Sequence, residues 1–208
     1  MNVYDFDGTI YPSDCSVGFA IWCMNRHPTM WLTFFPKAIL NLLRCKAGKL
    51  PVSQMQRKFF AFLTKVDDFD VQIERFWDKN EKRIAPWYLA QKKPGDMIIS
   101  ASPTCIIGPI ARRLGVKYMA TEYDREFGVL VGNVMSAREK ARYIIDQDFP
   151  VIENFYSDSL SDTPLALCAE KAHLVSEKAT KVSDWPALNP ETIKEVRKKI
   201  DTGWNHLD

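Results

Sequence analysis

Two carboxylates stand close to the amino terminus, in Val3-Tyr4-Asp5-Phe6-Asp7-Gly8-Thr9. Val3, Tyr4 and Phe6 read as a short buried strand that ends in the two acids and turns at Gly8. Along a strand Asp5 and Asp7 share one side, and at its end both are free to face a crevice. Acids at the carboxyl end of a strand, followed by a glycine turn, suit a divalent metal and a phosphate. The same residues also make ordinary turn chemistry, so the stretch alone leaves both readings open.

Further groups of this kind recur along the chain. Ser100 and Ala101 follow the apolar run Met97-Ile98-Ile99, Asp158 and Asp162 follow Phe155-Tyr156-Ser157, and Lys140 opens a helix. Carboxylates from different strands can hold a magnesium ion, which takes oxygen ligands and keeps several waters for a phosphate. The Ser100 hydroxyl and the amides that begin the next helix can bind phosphoryl oxygens, and Lys140 adds a fixed positive charge. That set suits phosphoryl transfer, which needs in-line positioning and neutralised charge. Each member has a plainer reading. Ser100 can simply end a strand, Lys140 can be a solvated charge like Lys82 or Lys117, and residues 158–162 can be a turn with a helix cap. Their joint placement at strand ends is what favours chemistry.

The elements that must position these groups alternate. After the opening strand, Ser16 to about Lys93 is helical in pattern and rich in aromatics. Ser16 is expected to cap a first helix, and Pro36 to end or kink a second running from Thr29 to Leu43. Further helices are expected from Pro51, from Phe69 to Lys79 and from Ile84 to Gln91. A strand at Met97, a helix from Thr104 to Leu114, a strand over Val116–Ala120 and a hairpin over Glu122–Val134 follow. Helices over Arg138–Gln147, Thr163–Lys171 and Glu191–Ile200, with strands at Phe155 and His173, complete the pattern. This alternation predicts an α/β fold with a doubly wound, mostly parallel, Rossmann-like sheet.

Composition bounds the partners. The 208 residues are 46% hydrophobic and 26% charged, ordinary for a packed globular chain. A net charge of +2 is too balanced to argue for nucleic acid. Five scattered cysteines form no CxxC pair, so neither a zinc site nor a disulfide framework is signalled. Asp5 and Asp7 interrupt the place where a signal peptide's apolar region would sit, and a cytoplasmic protein is expected. His27, His173 and His206 have no ligand spacing and read as structural.

In this order and spacing the motifs resemble those of the haloacid dehalogenase superfamily, in its phosphoserine-phosphatase-like branch (subfamily IB). The matching residues are Asp5-Phe6-Asp7-Gly8-Thr9, Ile98-Ile99-Ser100, Lys140 by position, and Asp158 with Asp162. The resemblance implies a core domain over residues 1–14 and 94–208, with an all-helical cap domain over 15–93 inserted after the first strand. It implies that Asp5 is the nucleophile, forming an aspartyl phosphate, and that Asp7 is the acid and base. Magnesium would be held by Asp5, Asp158 and the backbone carbonyl of Asp7. Ser100, Ala101, Lys140 and the Gly8 backbone would hold the phosphoryl group, with Asp162 behind them; Thr9 is expected only to shape the turn.

The substrate implied is a small phosphorylated metabolite, phosphoserine-like if Asp14 and Arg57 grip an amino acid. Ala101-Ser102-Pro103 departs from the glycines of that branch. A phosphotransferase or mutase would use the same Asp5 intermediate. The apolar block Trp22, Met30, Trp31, Leu32, Phe34, Phe35, Ile39, Leu40, Leu42 and Leu43 reads as the cap's buried core. With Arg44, Lys46 and Lys49 beside it, the block also reads as a segment lying on a membrane surface, which would make a phospholipid head-group phosphate the substrate. It is too short and interrupted to span.

Overall fold

The computed structural model describes residues 1–147 and 149–202. Strand β1 (Asn2–Tyr4) is followed by helices α1 (Cys15–Arg26), α2 (Thr29–Thr33), α3 (Phe35–Lys46), α4 (Val52–Phe60), α5 (Phe69–Asn80) and α6 (Pro86–Gln91). Then come β2 (Met97–Pro103), α7 (Thr104–Leu114), β3 (Lys117–Thr121), the hairpin β4 (Tyr123–Asp124) with β5 (Val129–Leu130), and α8 (Ala137–Asp146). The chain continues through β6 (Ile152–Ser157), α9 (Thr163–Ala166), β7 (Ala169–Ser176), β8 (Lys181–Asp184) and α10 (Pro190–Thr202).

Among the described residues the main sheet has six strands in the order β3-β2-β1-β6-β7-β8. Its pairings are parallel except that of β7 with β8. Only three residues long, β1 is wholly buried at the centre between β2 and β6, where Val3 meets Met97 and Phe155. From β1 the chain builds outward on one side and then returns to build the other. The carboxyl ends of β1 and β6 therefore flank the switch point, where open α/β sheets place their ligands. Asp96 locks this arrangement: its carboxylate accepts from the Asn2 N–H at 2.9 Å and the Lys93 N–H at 2.9 Å.

From Ser16 to Lys93 the chain holds helices joined by short connections and no strand, as the pattern predicts. Its aromatics pack edge to face, with Phe19 against Phe69 and Phe76 at centroid distances of 5.4 and 5.5 Å. Trp77 carries this packing onto β1's end, meeting Phe6 at 5.8 Å and Tyr11 at 5.5 Å.

Several local expectations are corrected. Helix α1 is capped by Asp14, which accepts from Val17 N–H at 2.8 Å, and not by Ser16. Pro36 sits in the first turn of α3, where its missing N–H costs nothing, so the break falls at Phe34 instead of inside a long helix. The helix expected over Thr163–Lys171 stops at Ala166, because Ala169–Ser176 pairs with β6 and tertiary pairing overrides local helix preference. The edge strand β8 has no counterpart in the sequence reading. In the apolar block, Met30 and Phe34 join the core, but Leu32, Leu40 and Leu43 are exposed. His173 in β7 stacks on Tyr156 of β6, while His206 lies outside the described residues.

Candidate active site

Asp5 and Asp7 leave the end of β1 as expected, and both are almost fully buried. They line one cleft with Ser100, Ala101, Ser136, Lys140, Asp158, Ser159 and Asp162. The sheet brings Asp5 and Asp158 together from adjacent strands. Helix α8 enters over them and places Lys140 in its first turn, also buried.

Lys140 Nζ lies 2.5 Å from Asp5 Oδ1 and 2.8 Å from Asp162 Oδ2. Burial alone would discharge this lysine, but the Asp162 and Asp5 carboxylates outweigh it and hold its pKa above the usual range. The other Asp5 oxygen, Oδ2, accepts from Thr9 Oγ1 at 3.1 Å. Thr9 Oγ1 also lies 3.4 Å from Asp158 Oδ1 and accepts from the Asp158 N–H at 2.9 Å. Thr9 thus ties the two strand ends together, more than the turn-shaping expected of it. Asp162 Oδ2 accepts a further bond from Ser157 at 2.9 Å.

Asp7 is held separately. Its Oδ1 accepts from the Cys15 N–H at 2.7 Å and its Oδ2 from Ser102 Oγ at 2.6 Å. Ser102 in turn accepts from Ser16 Oγ at 2.9 Å. Burial, with Asp14 close by, pushes Asp7 up to about 7 against these hydrogen bonds. Burial also raises Asp5, to about 6, against the pull of Lys140. A buried carboxyl poised near neutrality is able both to give and to take a proton.

The Gly8 N–H donates to the Tyr11 carbonyl at 2.7 Å. Glycine is also needed here for room: φ is +80°, and a Cβ there would lie 2.2 Å from Asp158 Oδ2. Ser100 lies within β2, not at its end, beside a register shift between Ser100 and Pro103. Its Oγ accepts from the Ser102 N–H at 3.1 Å. Asp14 and Arg57 do not line the cleft: Asp14 caps α1, and Arg57 reaches the Gly132 carbonyl at 3.4 Å.

The donor set fits a divalent cation. One cleft is lined by the carboxylates of Asp5, Asp7, Asp158 and Asp162 and by one ammonium, Lys140, which pairs with Asp5 and Asp162. Surplus negative charge out of water is costly unless a cation offsets it. Asp162 Oδ1 is buried without a protein hydrogen-bond partner, an acceptor suited to a water ligand. Among the described residues no three His, Cys, Asp or Glu side chains converge as a ready-made metal shell. Magnesium requires no such shell, since one or two carboxylates with carbonyls, waters and phosphate suffice.

Ser102, Ser16, Ser136, Ser157 and Ser159 were not legible as site residues. For Ser102 a signal existed, a hydroxyl where the resembling branch carries glycine.

The profile of the haloacid dehalogenase-like hydrolase family matches residues 3–167 of this chain. Among solved structures, a protein of unknown function from Bordetella pertussis Tohama I matches 100% of this chain and 97% of its own, at 18% identity and a TM-score of 0.70. A probable phosphoserine phosphatase from Vibrio cholerae matches 82% of this chain but 55% of its own, at 14% identity and a TM-score of 0.61. A phosphoserine phosphatase solved as a phospho-aspartyl intermediate analogue matches 96% of both chains, at 16% identity and a TM-score of 0.55. Identities this low establish a shared fold. No curated protein matches the chain by sequence.

Proposed function

The chain belongs to the haloacid dehalogenase-like hydrolase family, and on that premise we propose that it is a magnesium-dependent phosphomonoester hydrolase acting on a small phosphorylated metabolite. The observation that carries this reading is the clamped Asp5. Its two oxygens are fixed by Lys140 and Thr9 at the switch point of the sheet, with Asp158 across Thr9 and Asp7 two residues on. A carboxylate held this rigidly is oriented to attack phosphorus in line, which forms the aspartyl phosphate and breaks the bond to the leaving oxygen.

Asp7 gives its proton to the departing alkoxide and then takes one from the water that cleaves the aspartyl phosphate. Ser100, the Ala101 backbone and Lys140 bind the transferring oxygens, and Asp162 holds Lys140 in place. Asp5, Asp158 and the Asp7 carbonyl would hold magnesium, which when bound supplies positive charge to the phosphoryl oxygens. The helical segment over 15–93 is read as a cap above residues 1–14 and the chain from 94 onward. In this reading Asp14, at the entrance to that segment, and Arg57 within it remain candidates for substrate contact.

The test is phosphate release from a panel including phosphoserine, sugar phosphates and lipid phosphates, with and without magnesium. Release without an acceptor distinguishes hydrolysis from phosphotransfer. Asp5→Asn is expected to lower turnover by about 10⁴-fold or more, by analogy with loss of other covalent nucleophiles. Activity surviving in that variant would disprove the covalent scheme.

A further inference from the structure

Between residues 15 and 66 the chain carries eight Lys and Arg residues and no Asp or Glu, so all 26 acidic residues lie outside this stretch. Within it, α2 turns Met30 inward and α3 turns Cys45 inward, and Phe34 between them packs on Phe59 and Phe62 at 5.8 and 5.4 Å. The opposite face is also apolar. Leu32 is 82% exposed, Leu40 55% and Leu43 57%. Within α3, Phe35, Ile39 and Leu43 recur at intervals of four residues, which aligns them in one outward stripe, and exposed Leu32 lies in α2 across the break at Phe34. Trp31 stacks obliquely on Phe35 at the end of the stripe, centroids 5.1 Å apart, and exposed Lys37 and Arg44 flank it.

Isolated exposed apolar side chains are ordinary, but a continuous stripe marks a surface that something covers. Charge says what covers it. Two copies of this face would bring cation against cation with no acid of the same stretch to offset them. A negatively charged lipid surface complements it on both counts, taking the apolar stripe into the acyl boundary and the basic flanks to the headgroups. No helix among the described residues is long and apolar enough to cross a membrane, so the contact is one of lying on the surface. The inner face is anchored through Phe34, so docking exposes no core. We propose that the outward face of α2 and α3 docks this protein onto an anionic lipid surface. The proposal rests on this surface alone and stands or falls independently of the catalytic reading.

Flotation of the 208-residue chain with vesicles tests it. The protein is expected to float with vesicles of phosphatidylcholine mixed with phosphatidylglycerol, to stay behind with phosphatidylcholine alone, and to be released by salt. The paired changes Lys37→Glu with Arg44→Glu, and separately Leu40→Ser with Leu43→Ser, should each lower vesicle binding by about tenfold or more. Because these side chains are exposed, circular dichroism and the thermal midpoint should keep wild-type values. Three results would overturn the proposal. One is no flotation with the anionic vesicles, and another is flotation that neither pair reduces. The third is a dimer, seen by light scattering, that Leu40→Ser with Leu43→Ser dissociates while vesicles capture nothing; this would make the stripe a self-association face.

Discussion

Asp5 and Asp7 are two residues apart and equally buried, yet their surroundings differ. Asp5 faces an ammonium, which favours its charged form. Asp7 faces only neutral donors, the Cys15 N–H and the Ser102 hydroxyl, with Asp14 nearby. That contrast suits a nucleophile beside an acid and base. Under the proposed mechanism, Ser102 would be a positioning residue for Asp7. Ser102→Ala should cut kcat about tenfold for alkyl phosphates, whose leaving group needs a proton, roughly the worth of one charge-assisted hydrogen bond. For an aryl phosphate with a good leaving group the loss should be much smaller, with KM near wild type for both. Steady-state kinetics on the two substrates check this; equal losses would reduce Ser102 to packing.

At the scale of elements, a three-residue strand positions the chemistry, and such a strand cannot hold itself in place. Parallel partners on both sides supply part of the restraint, and Asp96 supplies the rest by satisfying the N–H groups of Asn2 and Lys93. Asp96→Ala should cost about 3 kcal/mol by leaving buried donors unsatisfied. Urea denaturation of the variant measures this. The order of strands and helices was legible because apolar runs, glycines and prolines mark it. The end of the helix at Ala166 and the strand β8 were not, because both depend on pairing with strands distant in sequence.

Across the whole molecule, one apolar cluster runs from Tyr4, Phe6 and Ile98 of the sheet side into Phe19, Phe62 and Phe76 of the helical segment. Trp77 stands where the two meet, fully buried, its indole N–H donating to the Ile106 carbonyl at 2.9 Å. Outside it, Arg113 on α7 bonds to Glu74, Asp78 and Glu81 across the same junction. Such half-exposed pairs add little by themselves, whereas the shared apolar core should make the parts unfold together. Trp77→Ala is expected to cost about 3–5 kcal/mol. In thermal melts of the native protein, tryptophan fluorescence and far-UV circular dichroism should give coincident transitions; separated transitions would show that the helical segment unfolds on its own.

What the sequence determined by itself was which residues are equipped for chemistry, and the architecture's outline. Residue types are explicit in a sequence, and hydrophobic periodicity reports which faces are buried. Asp5, Asp7, Ser100, Lys140, Asp158 and Asp162 could therefore be named, and the structure brings them to one cleft. Tertiary structure alone decided who holds them. Ser102 lies 95 residues from the Asp7 it bonds, and Thr9 lies 149 from Asp158. A hydroxyl carries no mark in sequence of the partner it will meet across a sheet. The same is true of the apolar block in α2 and α3. Its composition says only that it avoids water, and packing decides that Phe34 turns to the core while Leu32 and Leu43 turn away.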